Sequence, residues 1–233
     1  MRSALLAAAA AFALAACTQA ANEAPAPAPE PAAIAVEAPS GEYTLDNTHA
    51  SLTIRANHLG LSHYTLRFTD LDATLNFNAE APEQSTLVAT AQVNSLETDF
   101  PGEQNFDAEL QNSDWLDGAN HPEISFRSTS VERTGPNTGR MTGDLTMKGQ
   151  THPATFDITY NGSYAQHPFG RPFALIGFSA RGTVSRSQFG VSALVPAAGT
   201  SLGISDEVEV IIEAEFTSPV APPAAPEAAA PAN

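Results

Sequence analysis

Residues Gly143 to Tyr160 read Gly-Asp-Leu-Thr-Met-Lys-Gly-Gln-Thr-His-Pro-Ala-Thr-Phe-Asp-Ile-Thr-Tyr, and the alternation in this stretch decides the fold. Leu145 and Met147 alternate with Asp144, Thr146 and Lys148, and Phe156, Ile158 and Tyr160 alternate with Thr155, Asp157 and Thr159. A period of two on both sides of a glycine predicts a β-hairpin with one apolar and one polar face. Gly149-Gln150 suits a type II′ turn, whose first central residue has positive φ, and Pro153, lacking an N–H, suits the start of the second strand. Such a sheet must bury its apolar face.

Outward from the hairpin, the chain offers more strands of the same kind. Tyr43–Asp46, Ala50–Asn57, His63–Phe68, Leu71–Phe77, Ser85–Asn94 and Glu123–Glu132 precede it, and the hairpin's own strands are Gly139–Lys148 and Ala154–Gly162. Phe173–Arg186 and Glu207–Thr217 follow, the last with Val208, Val210, Ile212, Ala214 and Phe216 alternating against a line of Glu. The period fails only between Pro101 and Leu116, where Phe106 and Leu110 stand four apart and predict a short amphipathic helix that closes one end of the sheet. Ser113-Asp114-Trp115 predicts a second short helical turn. About eight antiparallel strands with one helix and no βαβ rhythm predict a mainly β chain, an up-and-down barrel or a sandwich. A closed barrel is preferred, since long strands left open would expose their edges.

The ends differ from this domain. Arg2 followed by an Ala- and Leu-rich run to Ala16 has the form of an export signal over residues 1–16, too short for a membrane span of about 20 residues. The run ends Leu14-Ala15-Ala16-Cys17, which resembles the lipobox of bacterial lipoproteins and implies lipidation at Cys17. Thr18 after the cysteine leans, by the same resemblance, towards the outer membrane. Residues 17–40 and 218–233 are rich in Ala, Pro and Glu, so they are predicted as a disordered tether and tail flanking a barrel of residues 41–217. A Pro-rich tether of this length would reach roughly 70 Å from the bilayer.

A net charge of −16 argues against nucleic acid as a partner, because phosphates would be repelled. Cys17 is the single cysteine, so the domain has neither a disulfide nor a thiolate for chemistry. The six histidines show no ligand spacing on one element, and no metal site is expected. Gly199-Thr-Ser201-Leu-Gly203 matches a hydrolase nucleophile pattern but lacks the strand-to-helix context, and no histidine follows Ser201. With no nucleophile, base and orienter in view, the chain is not expected to be an enzyme, and no catalytic residue or resident cofactor is assigned.

Several motifs together resemble the YceI-like family. They are Asp46-x-x-His49, Asn57-His58-Leu-Gly-Leu-Ser62, Ser113-Asp-Trp-Leu-Asp117 with His121-Pro122, and Phe126-Arg-Ser-Thr-Ser-Val131. Gly143-Asp-Leu-Thr-Met-Lys-Gly149, Ser185-Arg-Ser-Gln-Phe-Gly190 and Ser205-Asp-Glu-Val208 continue the series through residues 43–217. The resemblance implies a lipocalin-like periplasmic barrel whose interior holds an isoprenoid lipid, such as a quinone or an isoprenyl phosphate. Ala50, Asn57 and Gln188 depart from the family's Ser, basic residue and Asp. Phe106 and Glu109 stand where relatives often carry Arg and His, which favours a less charged ligand.

By this reading Ile54, Leu75, Leu87, Phe126, Phe156, Ile158, Phe178, Val210 and Ile212 line the ligand site, or else simply fill the core. Phe106, Leu110 and Trp115 form a lid, or staple a helix to the sheet. His58 is read at the barrel mouth, with Arg186 and Phe189 placed by a family motif; Arg186 alternatively bonds a turn carbonyl. The expected partners are an isoprenoid lipid and, through Cys17, a membrane, while a homodimer is left open. The alternative is a structural or envelope-stress barrel with a filled core.

Overall fold

The computed structural model describes residues 32–220. The expected signal segment of residues 1–16 and Cys17, and most of the expected tether and tail, lie outside the described residues. Ten antiparallel strands form one sheet: β1 (Gly41–His58), β2 (Ser62–Phe68), β3 (Leu71–Phe77), β4 (Thr86–Gln92), β5 (Leu96–Thr98), β6 (Glu123–Arg133), β7 (Thr138–Met147), β8 (Gln150–Tyr164), β9 (Phe173–Ser185) and β10 (Ile204–Pro219). A helix, α1 (Phe106–Leu110), follows β5. β10 pairs back onto β1, so β1, β3, β4, β6, β7, β8, β9 and β10 close an eight-stranded barrel. Closure leaves none of those strands as the outer strand of an open sheet. β2 and β5 add a flap beside β1 at the end that carries α1.

β1 is longer than alternation suggests. Tyr43–Asp46 and Ala50–Asn57 belong to one strand with a bulge inside it: Leu45 pairs with Phe216 and Ala50 with Ala214, so residues 46–49 lie opposite Glu215 alone. The bulge switches parity. Tyr43 and Leu45 point inward before it, and Ala50, Leu52, Ile54 and Ala56 do so after it, while β10 keeps a constant alternation. Hydrogen bonds from the Thr48 N–H (3.0 Å) and Oγ1 (2.6 Å) to Asp46 Oδ1 hold the bulge.

The central hairpin forms with a different turn. Met147 pairs with Gln150, so the loop is Lys148-Gly149, and φ is +50° and +72° at these residues. Positive φ at both positions is type I′, the twist that matches flanking strands, not the type II′ turn read from Gly149-Gln150. Lys148 is held in this conformation by its Nζ, which donates to Ser113 O at 2.7 Å. Pro153 lies inside β8 rather than at its start, before the pairing of β8 with β9 begins at Phe156.

The helix is shorter than the predicted 101–116. The Asn105 side chain accepts from Ala108 N as an N-cap, which starts α1 at Phe106, five residues after Pro101. Leu116 N and Gly118 N then bond back to Leu110 O and Gln111 O, and a left-handed Asp117 (φ +52°) turns the chain away. The predicted turn at Ser113-Asp114-Trp115 is a hydrogen-bonded turn, not helix.

Residues 32–40, read from sequence as part of a disordered tether, lie on the barrel. Ala38 is 2% exposed within a cluster formed by Tyr43, Phe77, Ile176 and Phe216. Ser163 Oγ accepts from Glu37 N and Ala38 N at 2.9 Å, Tyr160 Oη donates to Ala35 O, and Ile34 N donates to Asn137 Oδ1. Composition missed this strap because its energy comes from groups on β8 and the β6–β7 loop. At the other terminus Ser218 and Pro219 extend β10 opposite Ala174 and Phe173.

Two glycines seat aromatic rings against the wall. A Cβ on Gly143 would lie 2.4 Å from Arg127 O and 2.5 Å from the Phe126 ring, and one on Gly182 would lie 2.6 Å from the Phe156 ring. Phe126 and Phe156 meet edge to face at 5.3 Å. Gly143→Ala should therefore destabilise the barrel by about 1–3 kcal/mol, lowering the thermal midpoint by about 2–4 °C per kcal/mol, as read by circular dichroism.

Candidate functional site

Inward alternation from eight strands would fill a small barrel if the side chains were large. Here many are not: Ala50, Ala56, Ala73, Ala89, Ala91, Ala180 and Ala214 all face inward. The interior consequently holds a cavity of about 880 Å³, within the range of about 300–1,000 Å³ for small-molecule sites. Among the described residues the filled-core alternative does not hold. Along β10 the wall runs from Ile204 through Val208, Val210, Ile212 and Ala214 to Phe216. That is about 40 Å of strand, or about 30 Å along the axis after the usual tilt. The site is elongated.

Of the residues singled out in sequence, Ile54, His58, Leu75, Leu87, Phe106, Leu110, Trp115, Phe126, Phe156, Ile158, Phe178, Arg186, Val210 and Ile212 line the cavity. So does the whole apolar face of the central hairpin, including Leu145, Met147 and Tyr160. Phe189 does not. It is 2% exposed and packs its ring edge to face on His152 at 5.1 Å, while Val191, two residues on, reaches the wall.

The lining also contains residues that the sequence reading passed over. Ile34 and Val36 of the strap lie across one end, and Tyr64, Leu66 and Phe68 of β2 form part of the wall near the other. Tyr64, Leu66 and Phe68 alternate with exposed His63, Thr65 and Arg67, a signal that was readable. The strap had no periodic signal at all. Phe106 stacks edge to face on Tyr64 at 5.7 Å and tilts on Phe100 at 5.2 Å, so α1 borders the second end.

Most motifs of the family resemblance converge on that helix end. His121 packs against Gly149, Lys148 Nζ reaches Ser113 O, and the Ser187 N–H and Oγ both donate to Asp206 at 2.8 Å. Arg186 sits at the centre, 5% exposed. Its Nε donates to Ser205 O (2.9 Å), Nη1 to Val191 O (2.7 Å) and Nη2 to Ile204 O (2.9 Å), and its guanidinium lies 5.5 Å from the Trp115 ring. Burial holds its pKa below the usual arginine value, opposed by the nearby Asp206 carboxylate. Asn57, at the family's basic position, accepts from Gly60 N and shapes the β1–β2 turn.

The polar groups of the wall are unevenly matched. Its arginines are Arg186 and Arg133, and Arg133 donates to Gly135 O and Pro136 O. Of the residues with carboxylate side chains that border it, Asp72, Glu80, Glu83, Glu132 and Glu213 are exposed, the Glu213 carboxylate accepting from Ser179 Oγ, and Glu109 is half-buried. The Tyr64 hydroxyl is buried and, among the described residues, has no hydrogen-bond partner. A hydroxyl in that state is costly unless something supplies an acceptor.

Outside the cavity, the β1 bulge places Asp46, His49 and Glu215 within ligand distance of one another. His49 Nδ1 lies 2.9 Å from Asp46 Oδ2 and 3.9 Å from Glu215 Oε2, with the imidazole largely exposed. The Asp46 carboxylate and then Glu215 raise the His49 pKa, while the Thr48 and His49 hydrogen bonds lower that of Asp46. The spacing rules used on the sequence did not find this trio because Glu215 arrives from β10.

The profile of the YceI-like domain matches residues 43–216. A UPF0312 protein of Pseudomonas savastanoi pv. phaseolicola is 35% identical over 174 residues, which cover 73% of this chain and 88% of the relative. Among solved structures, the YCEI protein of Campylobacter jejuni superposes with a TM-score of 0.59 at 27% identity, over 70% of this chain and 89% of its own. A polyisoprenoid binding domain from Saccharophagus degradans shares the fold, with a TM-score of 0.55 at 11% identity over 76% of this chain and 98% of its own.

Arg186→Ala should lower stability in urea unfolding by roughly 2–5 kcal/mol, because three inward carbonyls lose their donor. Arg186→Lys should recover only part, since one ammonium cannot reproduce the planar fork. A cation acting purely on a ligand would leave the unfolding midpoint of both variants unchanged.

Proposed function

The chain belongs to the YceI-like family, and from that premise we propose that its barrel sequesters or carries an isoprenoid lipid without chemistry of its own. The observation that carries the reading is the elongated apolar cavity of about 880 Å³. Burying a long hydrocarbon chain in it gains about 25 cal/mol per Å² without any charged contact. The Saccharophagus degradans domain, a polyisoprenoid binding domain of the same fold, supports the same ligand class.

A quinone-type head group suits the site better than a polyprenyl phosphate. The arginines on the wall are bound to backbone carbonyls, so a diphosphate would find little free neutralising charge. A neutral carbonyl could instead accept from Tyr64 Oη.

We further propose that the protein is exported to the periplasm and anchored through an acylated Cys17, with the outer membrane favoured. With residues 32–40 held on the barrel, only residues 18–31 separate the anchor from the strap. Fourteen residues span at most about 50 Å, shorter than the reach expected for the whole tether. The domain stays close to the bilayer that would hold its ligand.

Protein purified from membranes should yield a near-stoichiometric isoprenoid on solvent extraction and mass spectrometry; its absence would refute the carrier reading. Tyr64→Phe should leave the unfolding midpoint unchanged or raise it, because an unpartnered hydroxyl is removed. The same change should weaken quinone binding about tenfold while sparing a hydrocarbon tail lacking the head. Cys17→Ala should move the protein from the membrane fraction to the soluble fraction after a carbonate wash.

A further inference from the structure

Two loops meet at the helix end. The β1–β2 turn, residues 59–61, and the connection from Gly190 to Gly203 are tied together by Leu59 N to Gly203 O (2.9 Å), and Ile204 N bonds Leu194 O (2.8 Å). Ser201 packs against Gly60. From these loops four leucines stand out into solvent: Leu61 at 83% exposed, Leu202 at 80%, Leu194 at 67% and Leu59 at 39%. Leu59 and Leu194 adopt φ of +57° and +56°. That conformation is uncommon for leucine and costs backbone energy.

Neither a core nor a ligand contact explains Leu61 and Leu202, which are not part of the cavity wall, whereas Leu194 and the half-exposed Phe100 both line the cavity and reach solvent. The composition of the two loops is equally unusual. Residues 58–62 and 190–204 contain no Asp, Glu, Lys or Arg, in a chain whose net charge is −16. Exposed apolar groups gathered in one place mark an interaction surface. Side chains on turn tips with no charge between them can enter an interface without desolvating an ion. Leucines rather than Trp, Tyr or Arg supply the area, unlike the anchors that dominate protein–protein contacts.

We propose that this leucine rim is a membrane-docking surface that seats the helix end on a zwitterionic lipid bilayer, with the mouth of the cavity facing the acyl chains. The proposal rests on the lipid-binding reading for its purpose, and on the rim alone for its physics. Docking is separate from the acyl anchor at Cys17: the anchor keeps the domain near a membrane, and the rim orients it. The chain carries a net charge of −16, so anionic lipid is a poorer surface than phosphatidylcholine at low salt.

The test uses the full chain carrying Cys17→Ala, floated with phosphatidylcholine vesicles. Binding is expected, stronger than to phosphatidylglycerol vesicles. Leu61→Asp and Leu202→Asp should each weaken it about tenfold, the loss expected when a buried leucine is replaced. Both side chains are exposed, so an unchanged unfolding midpoint verifies the fold of the variants. Phe169→Asp, at an aromatic residue 89% exposed in the β8–β9 loop, should have no effect. Failure of the Cys17→Ala chain to bind, or equal binding by the leucine variants, overturns the proposal. So does loss of binding in Phe169→Asp alone. Isoprenoid content of the same preparations separates the two readings: bound isoprenoid without vesicle binding refutes docking alone, and vesicle binding without isoprenoid refutes the carrier function alone.

Discussion

The pairing of β10 with β1 is the constraint on which the rest of this structure depends. Without it the strands would form an open sheet with two long edges, and the apolar face would have to be covered from outside. With it the same face becomes an interior. The pairing runs from Thr44 opposite Thr217 to His58 opposite Ile204, and it succeeds only because residues 46–49 are bulged out against Glu215. The bulge absorbs a change of parity that would otherwise turn Leu52, Ile54 and Ala56 towards solvent. Hydrogen bonds within Asp46, Thr48 and His49 thus help determine what faces a cavity on the other side of the wall.

Once closed, the barrel remains hollow because of what it does not contain. Alanines occupy inward positions on β1, β3, β4, β9 and β10, and Gly143 and Gly182 let the rings of Phe126 and Phe156 lie close to the wall. The ends are treated differently. Ile34 and Val36 cross one of them on a strap fastened to Ser163, Tyr160 and Asn137, whereas α1, Trp115 and the Arg186 network build the other. Arg186 binds three carbonyls from the segments that precede and begin β10. The cation therefore shapes the mouth of the cavity without adding free positive charge to it. The motif Ser-Arg-Ser-Gln-Phe-Gly is, in this light, a way to fold a loop.

How far the site could be read in advance depended on whether its residues obey a local period. Ile54, Leu75, Phe126, Phe156, Val210 and Ile212 were legible as inward because each sits in a run of strict alternation. Tyr64 was equally legible in pattern, yet nothing in the pattern reveals that its hydroxyl lacks a partner. Phe189, assigned by a family motif, lies off the wall for another reason: it follows β9 in a 3₁₀ turn that aims its ring at His152, and Val191 takes the wall instead. The strap at residues 32–40 resembles disordered sequence because alanine and proline offer little to bury; its bonds are made to residues more than a hundred positions away. The type I′ turn is not legible locally because lysine is uncommon at positive φ, and the Ser113 O that its ammonium reaches lies 35 positions away.

The sequence by itself determined that this chain is an antiparallel β-barrel with one short helix, and it placed the apolar faces, since alternation, turn residues and caps act over a few positions. It also determined the membership in a family, because motifs survive as text. Only the tertiary structure decided that the interior is a cavity rather than a packed core, that Arg186 is bound to backbone carbonyls, and that four leucines share one rim. Those are properties of groups brought together from distant strands. An empty volume is the remainder after facing side chains have been subtracted, and no local stretch of sequence contains that sum.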